Sequence, residues 1–284
     1  MSFPDWRRII TLRRLVLVGT LCAQPSAGAG QEVPAAAEPA RIRLVAAADT
    51  VDTVISEVIV RKAYARLGYQ TEIVRYPAER ALQLADSGRA DGDVQRIAGL
   101  ATHYPNLIQL QPPINYIEGS VFTAGKKITV AGWESLRPYR IGLIRGIKFA
   151  ELNTAGMDRD IVGNYPALFT MLEKGRFDLV VSPRLNGSYQ LLRLRIAGIA
   201  PLEPAIERFE LYHYIHRQRA ELAPGLEAVF RDMEAAGELR AIRRRVVAEL
   251  LRRARAGLPI CDEDYACFEP RPEREETSVR PAAK

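Results

Sequence analysis

The chain has 284 residues, 48% of them hydrophobic, enough for one large or two small globular domains. Its formal net charge is +6, but residues 1–29 supply half of it through Arg7, Arg8, Arg13 and Arg14 against Asp5. What remains is mildly basic and argues against a nucleic-acid partner.

Residues 1–29 read as a Sec-type secretion signal. A basic segment ends at Arg14, an apolar run covers 15–23, and Ala27-Gly28-Ala29 is the expected cleavage site. The run is shorter than the roughly 20 residues a bilayer span needs. Gly19-Thr20-Leu21 is a poor approach to a lipidated Cys22. The expected product is a protein exported to the periplasm, preceded by an Ala/Pro/Glu-rich linker over 30–40.

Residues 41–48 (RIRLVAAA) alternate and then turn apolar, as a first strand does, and Asp49 stands at its end. Over 53–67, Val54, Val58, Ala63 and Leu67 recur near helical spacing, and Gly68 ends that helix. A strand over 69–76 follows. Pro77 opens a helix over 78–87, Gly88 stops it, and a strand covers 90–95. This β-α-β-α-β order predicts a parallel sheet covered by helices. After a short strand at 107–110, residues 114–123 run extended as a first crossing between lobes. A second set comprises a strand at 139–144, a turn at Gly146, a helix from 148, a strand at 161–164 and a helix at 166–174. It continues with a strand at 178–182, a helix at 190–196 and a strand at 199–202. Residues 209–216 alternate as a return strand. Residues 222–254 are helical, with Leu239, Ile242, Val246 and Leu250 on one face. Beyond 268, charge and proline predict disorder.

One unit is used twice. Residues 76–96 (YPAERALQLADSGRADGDVQR) are echoed at 165–184 (YPALFTMLEKGRFDLVVSPR). Both hold Tyr-Pro-Ala, an apolar helical stretch, Gly-Arg-x-Asp, a valine-bearing strand and an arginine at the strand end. The repetition implies two related lobes. Asp91 and Asp178 sit where a turn enters a strand and read as structural. After loss of the signal two cysteines remain, Cys261 and Cys267, and in an oxidising compartment they read as a disulfide clamping the C-terminal segment.

On these features, residues from about 41 to 255 resemble the bacterial extracellular solute-binding proteins of family 3, the polar amino-acid type. The matching features are Pro77-x-x-Arg80, Gly88-Arg89-x-Asp91, Arg96, Pro113-Ile114, the run Gly142-Leu143-Ile144-Arg145-Gly146, Gly175-Arg176-x-Asp178, and Met233 with Gly237. The resemblance implies an α/β, type II periplasmic-binding-protein-like fold, two sandwich lobes joined by two hinge strands. Lobe 1 would hold 41–118 and 205–256, lobe 2 would hold 119–204, and 257–284 would be a tail. It implies a monomer that captures a small solute by hinge closure for an ABC-type permease, with no metal, cofactor or catalytic residue.

Position at facing strand ends makes Asp49, Tyr76, Arg80, Arg96, Tyr116, Arg145 and Arg184 the candidate ligand residues. Arg96 matches in order the family's carboxylate-binding arginine, whose planar fork suits that group. Phe149 and Tyr189 are aromatic too, but read as packing. Two departures bear on the ligand. Ile147 stands where the family usually has a hydroxyl residue, and Ser182-Pro183 stands where it usually places an aspartate for the ligand's amine. An ammonium buried there would lack a counter-charge, so a standard α-amino acid is not expected; several arginines with no obvious cleft acid except Asp49 point to an anionic, carboxylate-bearing solute or a polyhydroxylated one. Two other readings stay open: a sensing partner of a membrane receptor, and an enzyme resembling cyclohexadienyl dehydratases with Asp49 or Glu79 as general acid. His213 and His216 form an H-x-x-H pair, but on a strand they face opposite sides, which disfavours a metal site.

Overall fold

The computed structural model describes residues 40–48, 50–261 and 265–268. The secretion signal, nearly all of the linker, Asp49 and the disordered-tail expectation lie outside them. The first half of the fold contains β1 (Arg41–Ala47), α1 (Asp52–Arg66), β2 (Gln70–Tyr76), α2 (Ala78–Asp86), β3 (Gly92–Ile97) and β4 (Leu107–Gln109). Strand β5 (Asn115–Thr123) leads to β6 (Ile141–Ile144), α3 (Lys148–Asn153), β7 (Arg159–Val162), α4 (Tyr165–Glu173), β8 (Leu179–Pro183), α5 (Arg184–Leu194) and β9 (Ala200–Pro201). Strand β10 (Glu207–His216) returns to the first half, and α6 (Ala223–Ala235) and α7 (Glu238–Arg255) follow.

The strands run β2-β1-β3-β10-β5-β8-β6-β7, with β4 on β10 and β9 on β5. Strand β1 is parallel to β2 and β3, and β6 is parallel to β7 and β8. Strands β5 and β10 pair antiparallel, Asn115 opposite Leu211 and Gly119 opposite Glu207, and carry the chain between the halves. Each half has its own core. Leu44, Ile55, Ile59, Phe230 and Val246 pack in one, and Leu143, Phe169, Leu179 and Val181 in the other. The inner strands β6 and β8 are buried along their whole length because helices cover both faces.

The repeated unit does the same job in both halves. Helices α2 and α4 each end at a glycine in the left-handed region, Gly88 at φ 72° and Gly175 at φ 69°, where a Cβ would be strained. Asp91 Oδ2 then accepts from the Arg43 amide at 2.7 Å, while its own amide donates to the Arg43 carbonyl at 2.7 Å. Asp178 repeats this with Arg140, at 2.8 and 2.9 Å. Each aspartate thus hooks a helix-to-strand turn onto the start of the neighbouring strand.

Several boundaries differ from the sequence expectation: β6 begins at Ile141 rather than 139, and β7, expected over 161–164, runs Arg159–Val162. Helix α5 begins at Arg184 rather than 190, although Asn186 and Gly187 are poor helix formers. The position demands glycine, since a Cβ there would lie 2.4 Å from the Phe122 ring. The C-terminal helical stretch breaks at Gly237, φ 69°, into α6 and α7. Cys261 and Cys267 are bonded, S–S 2.19 Å. The bridge closes the segment carrying Tyr265, whose hydroxyl donates to buried Glu57 and receives Arg75 Nη2 at 3.0 Å.

Candidate functional site

Where the two halves face each other, the turn after β1 and the head of α1 oppose the turn after β6 and the head of α3. Between them lies a cavity of about 80 Å³. The first half contributes Thr50, Asp52, Thr53, Leu82, Gln95 and Arg96. The second contributes Gly146, Ile147, Lys148, Phe149 and Pro183, and the crossing strands add Ile117 and Leu211. Strand C-terminal ends form such crevices in α/β sheets because their following turns splay apart.

The halves touch around this cavity. Lys148 Nζ lies 2.7 Å from Glu79 Oε2, and the Val51 amide donates to Asn186 Oδ1 at 2.9 Å. Gly146, φ 88°, comes so near α2 that a Cβ on it would be 3.0 Å from Ala78 Cβ. Hydrogen bonds from Lys148 and then Tyr104 hold the Glu79 carboxyl below its usual range, and Glu79 in turn raises the Lys148 ammonium.

Arg96 reaches the cavity from β3 but is already engaged. Its Nε and Nη2 donate to Asp93 Oδ2 at 2.9 and 2.7 Å, and Nη2 also donates to the Ala78 carbonyl at 3.0 Å. Nη1 is left without a hydrogen bond among the described residues. Asp93 is fully buried; burial pushes its carboxyl up, and the Arg96 guanidinium opposes that.

Asp52 was not legible as a site residue. It opens α1 at 2% exposure, lines the cavity, and its Oδ2 has no hydrogen-bond partner. Burial pushes its carboxyl up to about 7, against the pull of Arg243 and with a smaller push from Glu118. The usable signal was the row Asp52, Thr53, Ser56 and Glu57, polar residues spaced i, i+4 on a helix otherwise rich in valine and isoleucine. Phe149, read from the sequence as packing, does pack, 4.6 Å from the Phe209 ring, yet also forms cavity wall.

The other sequence candidates among the described residues do not line this cavity. Tyr76 ends β2 half-buried, with the exposed Arg80 guanidinium 5.9 Å from its ring centre. Tyr116 is clamped on the outer side of the crossing strands between Arg208 and Arg243, at 3.6 and 3.7 Å. Arg145 is exposed, and Arg184 pairs with Glu203. Asp49 lies outside the described residues. His213 is buried, its Nδ1–H donating to the Asp93 carbonyl at 3.0 Å and its Nε2 accepting from the Tyr64 hydroxyl at 3.0 Å. Among the described residues no group of His, Cys, Asp and Glu is arranged to hold a metal.

No protein-family model matches the chain. It is 28% identical over 195 residues to an uncharacterised protein of Shewanella oneidensis, covering 64% of this chain and 72% of that one. Among solved structures it is similar to a histidine kinase sensor domain with similarity to periplasmic binding proteins. The TM-score is 0.61 at 19% identity, covering 73% of this chain and 96% of that one. It is also similar to an amino-acid ABC transporter substrate-binding protein of Streptococcus pneumoniae bound to L-arginine, with TM-score 0.60 at 15% identity, covering 75% and 95%. The chain has the two-lobed periplasmic-binding-protein fold, and the crevice described above lies between its lobes. Among the described residues no helix is long and apolar enough to cross a membrane.

Proposed function

We propose that the protein is an exported solute-binding protein that closes its two lobes about a small, polar, carboxylate-bearing solute and presents it to a membrane permease. The observation that carries the reading is the cavity between the lobes, walled by both, with the Arg96 guanidinium on one side. Nη1 of Arg96 is the group offered to the carboxylate. Its charge-assisted hydrogen bond would form only on closure, when Ile147 and Phe149 shut out water. Strands β5 and β10 act as the hinge, and solute shifts the population from open to closed. Likeness to a sensor domain supports a second reading, in which the closed form is read by a membrane receptor.

The test is a thermal-shift screen against amino acids, organic acids, sugars and polyamines, after any resident solute is removed by unfolding and refolding. A solute at 100 times its Kd adds about 2.7 kcal/mol of stability, an easily seen shift. A specific hit that also compacts the protein in X-ray scattering supports the reading. Silence across the whole panel would sink it.

A further inference from the structure

Helix α7 is rich in arginine, and much of that charge is answered within the protein. Arg245 Nε donates to the Phe268 carbonyl, Arg252 pairs with Glu249, and Arg253 reaches Glu249 and the Pro259 carbonyl. Arg243 Nη1 donates to Asn115 Oδ1 and, at 2.9 Å, to the Tyr116 carbonyl. Arg240 and Arg244 differ. Both are exposed, and neither makes a hydrogen bond or ion pair among the described residues. The amino-acid order explains this. The acids of α7 are Glu238, taken by Arg66, and Glu249, taken by Arg252 and Arg253, so no acid of the helix stands one turn from either residue. They stand at i and i+4 from each other instead, where like charges destabilise a helix.

These two arginines line a groove of about 560 Å³ on the outer side of the crossing strands. Residues 113–116, Arg208 and Glu210 of β10, and Glu234 of α6 line it too. Its volume falls in the range of small-molecule sites, roughly 300–1,000 Å³, and it shares no lining residue with the cavity between the lobes. Tyr116 sits in it between the Arg208 and Arg243 guanidiniums, at 3.6 and 3.7 Å from its ring centre, an arrangement that restrains both cations. Glu210 accepts from Arg208 Nε at 2.9 Å, which leaves Arg208 Nη1 and Nη2 unbonded among the described residues. Four arginines thus meet two glutamates in the lining. Adding Glu118, which stands across from Arg208 on β5, still leaves the balance positive.

We infer that this groove is a second ligand site, for a small soluble anion bearing two or more phosphate groups. Arg240 and Arg244, one helical turn apart, present two guanidiniums on the same face. A single guanidinium engages both oxygens of a carboxylate, whereas a phosphate has further oxygens for a second guanidinium to share. Arg208 Nη1 and Nη2 receive the other phosphate. Arg243, already spent on Asn115 and Tyr116, adds charge and fixes the stack from which Arg208 reaches out. A concave lining that includes Pro113 and Leu239 suits a small molecule better than a flat lipid surface. The inference stands apart from the solute-binding reading and does not depend on it.

The experiment titrates inorganic pyrophosphate into the protein by calorimetry, at low and at high salt. Wild type should bind it saturably at one site, and more weakly as salt is raised. Arg240→Gln with Arg244→Gln should weaken binding by roughly tenfold or more, and Arg208→Gln alone should weaken it as well. All three side chains are exposed, so their melting temperatures without pyrophosphate should match wild type. Arg217→Gln with Arg255→Gln removes the same charge from exposed positions outside the groove and should leave binding unchanged. Absence of saturable binding, or an equal loss in this second pair, overturns the inference by reducing the arginines to a solvated face. A parallel arm uses vesicles of phosphatidylglycerol. Binding to vesicles without binding to pyrophosphate would make the surface a membrane face and overturn the inference too. None of these outcomes bears on whether a solute closes the lobes.

Discussion

Two buried groups in lobe 1 titrate in opposite senses. The Asp52 carboxyl is pushed from 3.8 to about 7 by burial. Between those values the folded chain holds a proton that the unfolded chain has released. Its contribution to stability is therefore fully present below about 3.8 and is lost as pH rises through about 7. The His213 imidazole is lowered by burial from 6.5 to about 4, so its contribution is present above 6.5 and is lost as pH falls through about 4. Urea midpoints measured from pH 4 to 8 should therefore rise more steeply with pH in Asp52→Asn than in wild type, and less steeply in His213→Gln. The ion pair behind the site sets a second expectation. Arg96→Ala removes a proposed solute contact but also leaves buried Asp93 unpaired, which should cost about 3–5 kcal/mol. The contacts of Asp93 thus make this substitution costly to the fold as well as to binding. Arg96→Ala with Asp93→Asn should recover most of that loss in urea unfolding, and it is the better background for binding assays.

At the scale of the element, α5 joins the two lobes. Tyr189 packs with the first core and Leu191 with the second, and Gly187 sits against the Phe122 ring. Gly187→Ala would place a Cβ 2.4 Å from that ring, where Phe122 is fully buried and cannot swing aside. Overpacking of this kind should cost about 1–3 kcal/mol, measurable as a lowered melting temperature. The bridge Cys261–Cys267 acts on a different element. It closes a short loop that keeps the Tyr265 hydroxyl on Glu57 and Arg75. Cys261→Ser with Cys267→Ser should cost roughly 2 kcal/mol through loop entropy, plus whatever the Tyr265 contacts contribute. A double variant as stable as the wild type would show that the loop holds Tyr265 without the bridge.

For the whole molecule, the closing contacts are modest by design of their surroundings. Lys148 and Glu79 are both more than a third exposed, and such a pair contributes about 0–1 kcal/mol after screening. On the solute-binding reading proposed above, that is enough to bias an open–closed equilibrium, and too little to hold it shut against a solute that must leave. Glu79→Gln should raise the ligand-free radius of gyration in X-ray scattering and weaken solute affinity a few-fold at most. The difference from wild type should fade in high salt, since the pair is solvent-facing. An unchanged radius in both salts would mean that the Val51–Asn186 hydrogen bond and the contact of Gly146 with Ala78 suffice to hold the lobes together.

Local signals made much of this architecture legible in the amino-acid order. The alternation over 41–48, the glycines at 88 and 175, and the paired Gly-Arg-x-Asp units belong to turns and periods that act over a few residues, and they stand where the strands and helix ends are found. Arg96 was legible because its place at the end of β3 follows from that order. Which polar groups meet across the cleft is a property of long-range packing. Asp52 is ordinary in a helix start and becomes a buried carboxyl with Oδ2 unbonded only because α6, α7 and the sheet bury α1. Tyr116 alternates as a cleft residue would, yet a helix more than a hundred residues later in the chain brings Arg243 over its ring. The order of the elements is thus written in short-range chemistry. The character of the site was decided when the tertiary fold removed water from one carboxyl and left its Oδ2 without a hydrogen-bond partner among the described residues.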